Sequence, residues 1–164
     1  MGVTMGLRAM RQETGFTLLE LMVVVVIVTI LVSIAVPSYM QQVRQSRRTE
    51  AKAAILDLAG REETYFATNG TNYTNTAANL GYATFTPIGS GYYNIAVCVA
   101  TAAGTTPPCD PNANAPTAPS YYITATPVAG LSQANDAQCT SFSVDSTGQQ
   151  FSTGTGVGAY CWTN

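Results

Sequence analysis

The 164-residue chain contains no histidine. That absence excludes Ser-His-Asp and Cys-His nucleophilic sites, and any zinc site that needs imidazole. Charge is also scarce. Only 10% of residues are Asp, Glu, Lys or Arg, against roughly 25% in an average soluble protein. With 46% of residues hydrophobic, the balance implies a membrane segment joined to a polar but uncharged remainder. Positive charge runs out along the chain: the last of the seven basic residues is Arg61, and the 103 residues after it hold five acids and no Lys or Arg. Such a surface repels phosphate backbones, and a net charge of -2 adds no attraction, so nucleic acid is disfavoured as a partner. The length allows one domain of modest size with a real core.

What the chain does have is a long apolar run. Phe16 to Val36 reads FTLLELMVVVVIVTILVSIAV, 21 residues with a single charge, Glu20. As a helix it would rise about 31 Å, enough to cross a bilayer core. It is too long for the apolar part of a secretory signal and lacks an Ala-x-Ala cleavage site after it. Arg8 and Arg11 before it favour a cytoplasmic N-terminus, while Arg44, Arg47 and Arg48 after it weaken that vote. Glu20 is the anomaly, because a carboxylate at that depth costs on the order of 3 kcal/mol unless it is partnered. Cleavage between Gly15 and Phe16 would create an α-amine one helical turn before Glu20. Pairing with that amine, from the same chain or a neighbour, would make Glu20 a register device for assembly.

The run GFTLLELMVVVVIVTILVSIAVPSY (15–39) resembles the class III signal and N-terminal helix of type IV pilins. A short basic leader ending in Gly15, Phe16 as first mature residue, Glu20, and Pro37 with Tyr39 carry the resemblance. It implies a prepilin peptidase that cuts after Gly15 and methylates the Phe16 amine, and a Glu20 that neutralises a neighbouring subunit's N-terminus. It also implies a leader at 1–15, a transmembrane and filament-core helix at 16–37, an amphipathic helix half at 38–67 and a head at 68–164.

Read from the residues, Pro37 removes one helix hydrogen bond and loosens the helix without ending it. Helix formers continue beyond it, and the pattern predicts one helix from about Thr17 to Phe66. Val43, Ala51, Ala54, Ile55, Leu58, Tyr65 and Phe66 would share its buried face. Arg44, Arg47, Arg48 and Lys52 are expected on other faces, and Glu62 and Glu63 on a solvated one. After an irregular connection over 67–90, strand-like runs follow at Tyr92–Ala100, Ser120–Pro127, Thr140–Asp145 and Gln149–Ser152. Asp145-Ser146-Thr147-Gly148 supplies a tight turn between the last two. The fold class is therefore α+β: a long helix packed on a four-stranded antiparallel meander.

Four cysteines, at 98, 109, 139 and 161, all follow the apolar run. An even number reads as two disulfides in an oxidising compartment, which puts the head outside the cytoplasm. Of three connectivities, Cys98–Cys109 and Cys139–Cys161 are favoured, the first closing a hairpin connection and the second stapling the last strands to the tail. No Cys-x-x-Cys pair supports a metal, and no cofactor is expected. The second part of the chain resembles the PilE-like minor pilins, through the text around 47–74 and the terminal Cys161-Trp162. In that family the Cys139–Cys161 pair corresponds to the C-terminal disulfide loop, whereas Cys98, Cys109 and Pro107-Pro108 depart from it.

The resemblance implies a non-enzymatic filament subunit, a minor pilin or the major one. The alternatives are a DNA-binding competence pilin and a type II secretion pseudopilin. It implies as partners other pilin subunits, the prepilin peptidase and the inner-membrane assembly machinery. The precursor would sit in the inner membrane with its N-terminus cytoplasmic and its head periplasmic, and the assembled subunit in an extracellular filament.

Overall fold

The computed structural model describes residues 15–86, 88–101, 119–156 and 159–163. Helix α1 runs Leu18–Asn69 with Pro37 inside it. Two compact units divide the chain, one ending at Met40 and the other beginning at Gln41. In the first, Thr17 starts the helix: its Oγ1 accepts the Glu20 N–H at 3.2 Å and its carbonyl accepts the Leu21 N–H. A threonine before the first turn satisfies donors that the helix itself cannot. The large apolar side chains that follow, from Leu18 to Val36, are all exposed.

The second unit is the head. Its sheet has four strands, β1 Tyr93–Ala100, β2 Ser120–Pro127, β3 Ser141–Asp145 and β4 Gln150–Thr153, in the order β1-β2-β3-β4. Every neighbouring pair is antiparallel, so the sheet is a simple meander. Register is set by the hydrophobic alternation: Ile95 faces Ala125, Val97 faces Ile123, and Ile123 faces Val144. A one-residue slip would move each of these side chains to the other side of the sheet. The β3–β4 turn is tied by the Asp145 carboxylate, whose Oδ1 accepts the N–H groups of Thr147 and Gln149, both at 2.9 Å. Gly148 takes the positive φ (78°) that the turn requires.

The head's part of α1 buries Arg48, Ala51, Ile55, Leu58 and Glu62. The spacing of three and four residues puts all five on one stripe. Ala51, Ile55 and Leu58 join Ile95, Val97, Ile123, Ala125, Phe142 and Val144 in one core. Burying each large aliphatic side chain there stabilises the fold by about 2 kcal/mol. Two expectations are corrected. Arg48 is on the buried stripe (5% exposed), because Asp136 neutralises it there; Glu62 is fully buried instead of solvated, because the 70s loop covers the end of the stripe. Val43, Ala54, Tyr65 and Phe66, expected on the buried face, are half-buried, and of these Ala54 and Tyr65 pack against the core.

The tail is fastened to the sheet. Cys139 and Cys161 are joined, with Cα atoms 5.7 Å apart. Helix α2 (Ala159–Thr163) carries Trp162, whose Nε1 donates to the Phe151 carbonyl at 2.8 Å and whose ring meets Phe142 edge-on. Thr155 and Gly156 donate N–H groups to the carbonyls of Ala137 and Gln138. Gly154 lets the backbones come this close, since a Cβ there would collide with the Gln138 carbonyl. The other expected pair, Cys98–Cys109, lies outside the described residues because Cys109 does.

Candidate functional site

The N-terminal candidate residues sit close together in sequence and in space. Phe16 is 85% exposed. Glu20 lies in the first turn of α1, where a carboxylate interacts favourably with the helix N-terminus. Phe16, Glu20, Leu21 and Val24 line one shallow apolar hollow. Gly15 precedes them in non-helical backbone. Among the described residues, α1 is the one helix long and apolar enough to cross a membrane. Among the described residues, the large apolar side chains of this run are all exposed.

The head carries two charge clusters. In the first, Arg48 clamps Asp136 through two parallel bonds, Nε to Oδ2 and Nη2 to Oδ1, each 2.7 Å. Gln133 Nε2 donates to Asp136 Oδ2 and to the Tyr93 hydroxyl, both at 3.0 Å, and Arg48 Nη2 also reaches Gln138 Oε1 at 3.1 Å. The hydrogen bond to Asp136 holds the Arg48 guanidinium above its usual pKa, against the effect of burial. This network ties α1 to the segment before β3. Beside it lies a polar cavity of about 410 Å3, lined by Gln41, Arg44, Arg48, Asp136, Gln138 and Tyr160 among others. Arg44 is half-buried, and its buried Nε has no hydrogen-bond partner.

The second cluster closes the far end of the buried stripe. Glu62 Oε2 accepts the Thr74 N–H at 3.1 Å, while Oε1 has no partner. Burial pushes the Glu62 carboxyl up to about 7; the Thr74 N–H offsets part of that and Glu63 adds to it. The exposed Glu63 accepts the Tyr73 hydroxyl at 3.2 Å, and the Tyr73 ring stacks on Phe66 and meets Tyr121 edge-on. Among the described residues no three acids or cysteines converge. The remaining cations are mostly engaged. Arg47 lies 3.5 Å above the Tyr92 ring and donates to Ser132, and Arg61 pairs with Asp57 at 2.8 Å.

A family model for the prokaryotic N-terminal methylation motif matches residues 10–36, the segment that contains Gly15, Phe16 and Glu20. A second model, described as type IV minor pilin ComP, DNA uptake sequence receptor, matches residues 37–143, about two thirds of the chain. The chain belongs to this type IV pilin family. Among curated proteins, the pilin is 36% identical over 72 residues to the type IV major pilin protein PilA of Myxococcus xanthus, covering 44% of this chain and 32% of that one. It is 46% identical over 55 residues to the type II secretion system core protein G of Pseudomonas aeruginosa, covering 34% and 39% respectively. These matches thus span roughly a third of the length of each relative. A solved type IV pilin from Shewanella oneidensis aligns over 65% of this chain and 89% of its own, at 20% identity and a TM-score of 0.40.

Among the buried polar groups of this pilin that sequence reasoning missed are Arg48, Glu62, Gln133 and Asp136. The stripe's own spacing carries a signal for the first two, because 48 and 62 continue 51, 55 and 58 by one turn at each end. Gln133 has no such signal.

Proposed function

We propose that this pilin is a structural subunit of a type IV pilus, processed between Gly15 and Phe16 and then assembled through its N-terminal helix. One observation carries the reading: the apolar side chains from Phe16 to Val36 are exposed along the whole run. Water does not tolerate a patch of that size, whereas a bilayer before assembly and neighbouring helices after it do. Methylated Phe16 would bear the cation, and Glu20 of an adjacent subunit would neutralise it. Pro37 gives the helix a point with one hydrogen bond fewer, where it can loosen as it leaves the membrane. The precursor would be anchored in the inner membrane with its head periplasmic. The role is that of a subunit, not a catalyst.

Membership of a family described as a DNA uptake sequence receptor favours a second reading, capture of DNA by a minor pilin. Charge opposes it. The chain has no Lys or Arg after Arg61, and Arg48 and Arg61 are spent on Asp136 and Asp57. Two measurements separate the readings: duplex binding by the full chain in detergent, and the amount of the chain in sheared filaments against membranes. A receptor binds duplex DNA with an affinity that falls steeply as salt rises. A purely structural subunit is present in sheared filaments and retains no DNA at physiological salt. The secretion pseudopilin alternative predicts the processed chain in membranes and none in surface filaments.

A further inference from the structure

We propose that the polar cavity beside Arg48 holds the headgroup of an anionic glycerophospholipid while the chain is in the membrane, with Arg44 binding the phosphodiester. The inference rests on the reading above that a bilayer surrounds the apolar run before assembly. Gln41, Arg44, Gln45 and Arg48 line the cavity, and their spacing of three and four residues makes them one helix stripe. The same stripe continues as Ala51, Ile55 and Leu58, which are buried in the core. Its N-terminal end is therefore polar where the rest is apolar, and the segment from Asn135 to Gln138 supplies more of the wall. The cavity belongs wholly to the head, and its volume of about 410 Å3 suits a small polar group.

Charge decides which group fits. Asp136, the one acid lining the cavity, accepts two bonds from Arg48 and one from Gln133. That pair cancels. Arg44 makes no ion pair among the described residues, and its buried Nε is bonded to nothing. A donor in that state gains when an acceptor arrives, and a guanidinium fork matches phosphate oxygens by parallel bonds. The cavity thus carries one positive charge, and a phosphodiester carries one negative charge. The amides of Gln41, Gln45 and Asn135 are neutral and can bond hydroxyls as donor or acceptor. A headgroup that ends in glycerol meets these needs. An ethanolamine headgroup brings an ammonium, and the acid that could answer it is already taken.

Position along α1 selects a lipid as the source. The apolar run ends at Val36, and eight residues of helix separate it from Arg44. They rise about 12 Å, while the polar layer of a bilayer is about 5–7 Å deep on each side. Helical side chains tilt towards the helix N-terminus, and a long arginine stem reaches back to the phosphate level. Between the two lies Tyr39, 68% exposed, of the residue type that favours the membrane interface. A bound headgroup would hold the head at the bilayer surface until extraction into a filament releases it.

The test titrates the full chain in an uncharged detergent with phosphatidylglycerol or phosphatidylethanolamine, and native mass spectrometry counts the bound lipid. One phosphatidylglycerol should bind in preference to phosphatidylethanolamine, and Arg44→Gln should weaken it about thirtyfold. Gln41→Glu, at an exposed position, adds a carboxylate to the wall and should weaken it without altering Arg44. Arg47→Gln removes a cation engaged with Tyr92 and Ser132 and should cost no more than about fivefold, the effect of one surface charge. Equal binding of the two lipids, or an Arg47→Gln loss as large as that of Arg44→Gln, would overturn the site. Displacement of the lipid by millimolar glycerol phosphate would overturn the lipid assignment in favour of a soluble phosphate, and displacement by duplex DNA in favour of nucleic acid. Flotation of the unaltered chain with phosphatidylcholine vesicles is the separate check on the bilayer reading. Failure to float would remove that reading and the site with it, whereas flotation without a phosphatidylglycerol preference would remove the site alone.

Discussion

Replacing Glu62 by Gln should remove most of the pH dependence that separates this head from an otherwise identical one between pH 5 and 8. Glu62 is fully buried, one carboxylate oxygen has no partner, and the carboxyl is pushed up to about 7 from 4.5. Its folded-state pKa lies above the unfolded one, so folding favours the protonated form. Stability from this group is complete below about pH 4.5, declines as pH rises through about 7, and is flat above. A carboxyl raised from 4.5 to about 7 costs the fold about 3 kcal/mol at pH 8 relative to acid. Gln keeps the acceptor for the Thr74 N–H and puts its amide nitrogen where the protonated acid carries its O–H. The two chains should therefore match near pH 4.5, and Glu62→Gln should be more stable by about 2–3 kcal/mol at pH 8. Urea unfolding of the detergent-solubilised full chain, followed by Trp162 fluorescence with the disulfides intact, measures the difference at each pH. Glu63, Tyr73 and Tyr121 around the site are common to both proteins and cancel. Equal pH slopes, or a variant less stable than the parent at pH 8, would refute the reasoning.

Other perturbations follow from the same contacts. Asp136→Ala leaves the Arg48 guanidinium buried without its anion, and should cost about 3–5 kcal/mol in the same unfolding assay. Adding Arg48→Met to Asp136→Ala should recover much of that loss, because an apolar pair of similar volume replaces a charge pair. Cys161→Ser opens the loop that Cys139 and Cys161 close across 22 residues and should lower stability by about 3 kcal/mol in the loop-entropy account; the midpoint of urea unfolding reads it. Glu20→Ala should leave membrane insertion unchanged and abolish filament incorporation, scored by fractionation, since nothing else in the apolar run can meet a neighbour's amine.

The elements of this fold were legible because each has a strong periodic signature. The strands were expected within a residue of where they lie, because alternation at Tyr93, Ile95 and Val97 and at Phe142 and Val144 leaves one register with a buried face. The Asp145 turn was legible from its residue types alone. The polar ends of the buried stripe were not. Arg48 and Glu62 have the spacing of core residues and the chemistry of surface ones, and chemistry decided the expectation. What makes their burial tolerable is remote: Asp136 is 88 residues from Arg48, and Thr74 belongs to a loop with no regular pattern. A partner supplied by tertiary structure leaves no local trace. The same holds for Gln133, whose bonds to Tyr93 and Asp136 fill a gap that only the folded head creates. The N-terminal segment differs: Gly15, Phe16 and Glu20 form a compact pattern within the matched methylation motif, and the single charge in its apolar run is the basis on which their roles are proposed.

The most direct test of the central claim is intact-mass and N-terminal sequencing of this chain recovered from sheared extracellular filaments. The account predicts a chain that begins at methylated Phe16 and keeps the disulfide between Cys139 and Cys161. A chain that still carries Gly15 and the residues before it in every fraction, with none in filaments, would contradict it.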